Sequence, residues 1–213
     1  MMKKAIWVGC MVLLGAGAAW GGVISEDPGE LTASGLYWIP GSGDFDLFKR
    51  GLGAEVSYRE WFRFPWGVGG NLGGAQWDVD SGSNAYKYKA LSSYDGDVLM
   101  IPIGAALYFN VIDWDNWNLV FNAGLKYQIT DSNVSVYNGE ELVKARQDVD
   151  IGDAVLGTLG AEYDYMVSED IYVLGGLGYQ FNVMKADTDY NNTSARDTSF
   201  EGLYLSLGCK VLF

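Results

Sequence analysis

The 213 residues suffice for one domain or one barrel; 49% are hydrophobic, 15% aromatic, and 29 glycines far outnumber 4 prolines. A net charge of −13 argues against a nucleic-acid partner, whose phosphate backbone calls for a basic surface. With no histidine and only Cys10 and Cys209, the chain lacks the residues for Ser-His-Asp or Cys-His catalysis, a histidine-ligated metal, a zinc knuckle or a disulfide framework.

Residues 1–21 read as a secretory signal peptide. Met1-Met2-Lys3-Lys4 is a short basic start, Ala5 to Leu14 is apolar, and Ala16-Gly17-Ala18 and Ala19-Trp20-Gly21 are candidate cleavage sites. The mature chain is expected to begin between Ala19 and Val23, which leaves residues 22–213 as one domain. Cys10 is not read as a lipidation site, because the apolar run continues past it. The run is also diluted by glycine and short against the ~20 residues of a spanning helix.

After the leader the period is two, the period of strands. Four segments alternate at about 31–39, 48–60, 66–78 and 98–109. In 119–129, Leu119, Phe121, Ala123, Leu125, Tyr127 and Ile129 oppose Val120, Asn122, Gly124, Lys126 and Gln128. In 155–165, Val155, Gly157, Leu159, Ala161, Tyr163 and Tyr165 oppose Leu156, Thr158, Gly160, Glu162 and Asp164. Residues 171–183 follow the same rule, and in 203–213 Leu203, Leu205, Leu207, Cys209, Val211 and Phe213 share one face. Short connections (61–65, 110–117, 166–170) alternate with mostly long polar ones (40–47, 79–97, 130–154, 184–202). This is the pattern of an eight-stranded antiparallel up-and-down transmembrane β-barrel, with both ends on the short-turn side.

A soluble sandwich or barrel also alternates, but it hides its apolar face. Here the other face is small and polar, too poor in apolar area to make a core. Tryptophans cluster at strand ends. Trp61 and Trp66 surround the first short turn, Trp114 and Trp117 flank the second, and Trp38 and Trp77 lie near the loop ends; all six are expected in an interfacial aromatic girdle.

The chain ends on Phe213, on the apolar face of an alternating strand. With that ending, the alternation and the stretch Met100-Ile101-Pro102-Ile103-Gly104-Ala105-Ala106-Leu107-Tyr108-Phe109, the sequence resembles small outer-membrane β-barrels of the OmpA, OmpX and OmpW types. The resemblance spans about residues 31–213. It implies residence in the bacterial outer membrane, contact with outer-membrane lipid, and recognition of the last strand, Val211 and Phe213, by the barrel-assembly machinery. Val211 departs from the tyrosine that many members carry. Enzymes on such barrels place a histidine in the active site, so the resemblance implies no enzymatic activity here.

A barrel of eight strands is about wide enough for its own side chains to fill. The parities point Glu55, Arg59, Lys126, Glu162, Asp164, Gln180 and Lys210 inward, where opposite charges should pair into a plug. The function expected is therefore structural or surface-interacting, with a polar, side-chain-filled lumen. A narrow channel for ions or small apolar solutes is the first alternative. The second is an adhesin. Loop 130–154 carries Asn138-Gly139 between extended runs, a hairpin signal, so a ribbon should protrude there and offer its edge to an extracellular partner. The Asp-x-Asp pairs Asp44/Asp46, Asp78/Asp80, Asp148/Asp150 and Asp187/Asp189 read as solvated acidic loops, so no metal or cofactor is expected.

Overall fold

The computed structural model describes residues 29–41, 48–79, 92–138, 145–190 and 193–213. The expected leader, Asp44, Asp46, Asp80 and the Gly139 hairpin tip lie outside them. The described residues form eleven strands: β1 (Glu30–Pro40), β2 (Phe48–Arg63), β3 (Trp66–Val79), β4 (Ser92–Trp114), β5 (Trp117–Asn138), β6 (Ala145–Ile151), β7 (Ala154–Ser168), β8 (Ile171–Met184), β9 (Ala186–Tyr190), β10 (Thr193–Thr198) and β11 (Gly202–Leu212).

Eight of these close an antiparallel barrel in the order β1, β2, β3, β4, β5, β7, β8, β11. The ring is completed where β11 returns to β1, from Glu30 opposite Leu212 to Pro40 opposite Gly202. β5 pairs directly with β7, so β6 stays out of the wall. Closure leaves no unpaired strand edge in the barrel wall. Gly29 and Phe213 exchange backbone hydrogen bonds of 3.1 Å at the rim that carries the short turns.

Alternation sorts the wall into two faces. On β11 and the residue that follows it, Leu203, Leu205, Leu207, Val211 and Phe213 are exposed while Lys210 is buried. Leu52, Leu107, Leu125, Leu159 and Leu177 are each more than half exposed on the other strands. An apolar band around a whole wall far exceeds the scattered patches of water-soluble monomers. β1 and β11 have 11 residues each, matching the roughly 9–11 that a tilted strand needs to cross a bilayer.

Three strands exceed the eight expected, and two barrel strands run longer than their alternation. Ser92–Asp97 of β4 pairs with Asn133–Asn138 of β5, beyond the expected ends at 98 and 129. These residues are mostly polar, so the alternation fades although the backbone ladder continues. Gly96 has a φ of 132°, where a side chain would be strained. β6 pairs with the upper part of β5. β9 pairs with β6 over Val149–Ile151, and β10 pairs with β9. A five-stranded sheet, β4-β5-β6-β9-β10, therefore stands beyond the barrel rim. The expected ribbon is part of it, but the outer edge of β6 over Val149–Ile151 is already occupied by β9.

Candidate functional site

The lumen has a charged layer near the short-turn rim. Arg59 on β2 donates from Nε to Glu30 Oε2 on β1. Its Nη1 lies 3.1 Å from Glu162 Oε1 and its Nη2 lies 3.5 Å from Asp164 Oδ2, both on β7. β2 and β7 are four strands apart in the ring of eight, so these ion pairs cross the whole lumen. Lys210 on β11 donates to Asp164 Oδ2 at 2.5 Å and lies 3.5 Å from Glu30 Oε2. Aromatic rings cover the cations. The Arg59 guanidinium lies 4.8 Å from the Tyr108 ring centre and 5.1 Å from that of Trp61, and Lys210 Nζ lies 4.6 Å from that of Tyr172. Arg59, Asp164 and Lys210 are almost wholly buried.

Above this layer, Lys126 on β5 donates to Glu55 Oε2 on β2. The pair borders a cavity of about 50 Å³, whose lining includes Asn71, Tyr108, Asn122, Thr158, Glu162 and Tyr204. That is room for only a few waters, among groups able to bind them.

The structure thus brings Arg59, Glu162, Asp164 and Lys210 into one cluster, with Lys126 and Glu55 as a separate pair. Glu30 joins the first four and was not anticipated. It continues the inward parity of Thr32 and Ser34 one residue before the expected start of β1, so extending the alternation by one step would have found it. Trp61 Nε1 also donates to Glu30 Oε1, at 2.8 Å.

The lumen corrects two expectations, and the first concerns its loop end. That end is apolar. Trp38, Phe48, Trp77, Met100, Leu156 and Phe200 are buried together. Trp77 meets Phe48 edge-on with ring centres 5.2 Å apart, and Phe48 stacks on Phe200 at 5.6 Å. Gln180 ties the plug to the wall, accepting from Trp38 Nε1 at 3.1 Å and donating to the Phe200 carbonyl at 2.6 Å. Among the described residues, a cavity of about 10 Å³ lies beside Trp38, Trp77, Lys126 and Gln180. The lumen is therefore polar in its lower part and apolar at its mouth. Phe200 lies outside any strand, where no period marks it as inward.

The second correction concerns the girdle. Trp38, Trp61 and Trp77 point into the lumen and are 4%, 8% and 1% exposed, so they belong to no outer belt. Each shares its parity with lumen residues: Trp38 with Leu36, Trp61 with Arg59, Trp77 with Ala75. Position near a strand end suggested an interface, but parity decides the face. Trp66 and Trp114 do lie on the outer wall, 45% and 63% exposed. Trp117 is half-buried and packs on Trp114 and Tyr163, with ring centres 4.5 and 5.3 Å away. Val211 and Phe213 are exposed on the outer face of the closing strand region.

No known protein family and no curated protein matches the sequence. Solved structures do match. The outer membrane protein OprG from Pseudomonas aeruginosa aligns with a TM-score of 0.59 and 12% identity, over 88% of this chain and 96% of that one. A major outer membrane protein from Thermus thermophilus aligns at 0.56 and 11%, over 87% and 99%. Outer Membrane Protein W of E. coli aligns at 0.50 and 14%, over 88% and 98%. At such identities the likeness is one of fold: an all-β, closed, eight-stranded antiparallel barrel of the kind these outer membrane proteins have.

Proposed function

We propose that the chain is a non-enzymatic, membrane-spanning barrel of the bacterial outer membrane, closed to flow, that carries a five-stranded sheet beyond its rim for contact with a surface partner. The observation that carries this reading is the double closure of the lumen. Ion pairs cross it below and an aromatic plug fills it above. The apolar outer band supports the membrane setting, and the fold likeness to outer membrane proteins agrees with it. Export through a cleaved leader at residues 1–21, and reading of Val211 and Phe213 by the barrel-assembly machinery, complete the proposal.

Two measurements test it. In a planar bilayer the protein should show no steady conductance; a steady pore would favour a channel for ions or small solutes. For the membrane setting, Leu177→Arg or Leu207→Arg should weaken folding into lipid by about 2–4 kcal/mol where the site lies near the midplane. The same change at Thr158 or Ser206 faces the lumen, so its effect should not vary with bilayer thickness. Equal sensitivity of both faces to lipid would refute the assignment.

A further inference from the structure

The geometry points to a bound glycerophospholipid on the outer wall, with one acyl chain in a recess across β3, β4, β5 and β7 and its phosphate on Arg63. This rests on the membrane reading above. The recess encloses about 470 Å³ and is lined mainly by Trp66, Leu107, Phe109, Phe121, Ala123 and Leu159. The strand registers place these residues on one face: Trp66 opposite Phe109, Phe109 opposite Phe121, Leu107 opposite Ala123, and Ala123 opposite Leu159. Rings stand at the rim, where Trp66 and Phe109 have centres 4.7 Å apart. The small side chain of Ala123 leaves the floor low between larger neighbours. Such a dent has almost no polar group to hold water, and in a bilayer a hydrocarbon chain is what can fill it.

Charge distinguishes a site from ordinary lipid contact. Arg63 ends β2 directly opposite Trp66, which puts it on the outer face at the end of the recess. It is exposed and makes no ion pair among the described residues. Glu60 lies on the same face but is buried and does not pair with it. The exposed charged residues of the other two short turns and their flanks are all acidic: Asp113, Asp115, Glu169 and Asp170. A phosphate is repelled there and attracted at Arg63, whose planar guanidinium can bind it with two parallel hydrogen bonds.

The test uses the full chain folded into vesicles of dioleoyl phosphatidylethanolamine and dioleoyl phosphatidylglycerol, then extracted into mild detergent. Native mass spectrometry should find one phospholipid retained per barrel. Arg63→Gln should lower its occupancy about tenfold, as for one lost charge-assisted contact. Ala123→Phe fills the floor and should lower it as much; if that variant does not fold, Arg63→Gln carries the test alone. Dioleoylglycerol, with the same chains and no phosphate, should not be retained. A wild-type barrel that keeps no lipid, variants that keep as much as wild type, or equal retention of dioleoylglycerol would each overturn the site. A barrel that inserts into vesicles and then fails these tests sinks only this proposal. A chain that never inserts sinks the membrane reading instead.

Discussion

Arg59→Met is expected to destabilise the folded barrel by about 3–5 kcal/mol, because it strips a buried ion cluster of its central cation. Three carboxylates, Glu30, Glu162 and Asp164, share two cations, Arg59 and Lys210. Without Arg59, Lys210 is left to compensate three carboxylates, of which Glu30 and Asp164 are held away from water. Methionine preserves much of the side-chain volume, so the loss reports charge more than packing. Glu162→Gln should cost less, since Arg59 keeps Glu30 and Asp164 as partners. Lys126→Met should fall between them. Its partner Glu55 keeps a side-chain exposure of 14% and borders the cavity, so water can take over part of the lost interaction. Urea unfolding from vesicles, followed by tryptophan emission, measures all three. An Arg59→Met midpoint that does not move would mean that the lumen is wet enough to screen the cluster, and the closed-barrel reading would lose its lower seal.

The cluster was legible in the sequence because it obeys a period of two. Once Leu203 to Phe213 define the outer face of the last strand, Lys210 must point inward. The same step assigns Arg59, Lys126, Glu162 and Asp164. The pairing between strands was not legible, because it depends on the stagger of the ladders, which no residue type announces. Trp38, Trp61 and Trp77 show a different limit. Tryptophan suits both an interface and a lumen, so residue type leaves the face open and only parity resolves it. Phe200 shows a third. It reaches the lumen from a segment between β10 and β11 with no regular backbone, held by hydrogen bonds to Gln180 and Asn182, 20 and 18 residues away in sequence. Contacts of that kind have no local signature. The same holds for β6, β9 and β10, whose pairing outside the barrel needs no apolar face and leaves little alternation to read.

The plug supplies the second large effect. Trp77→Ala should cost about 3–5 kcal/mol, the usual penalty for removing a large buried ring and leaving a cavity. Trp77 is 1% exposed and packs against Trp38, Phe48 and Phe200, so no neighbour can close the gap without losing its own contacts. Trp77→Phe is the informative control. The Trp77 Nε1 proton is buried without a hydrogen-bond partner, so phenylalanine keeps a ring in place and removes an unsatisfied donor. It should cost far less than alanine. Conductance then separates the two seals. In Trp77→Ala the mouth of the barrel is opened, but Arg59, Glu162, Asp164 and Lys210 still span the lumen below. The variant should therefore unfold more easily and still carry no steady current. A steady current through Trp77→Ala would show that the ion pairs part for passing ions, leaving the aromatic plug as the only barrier to flow.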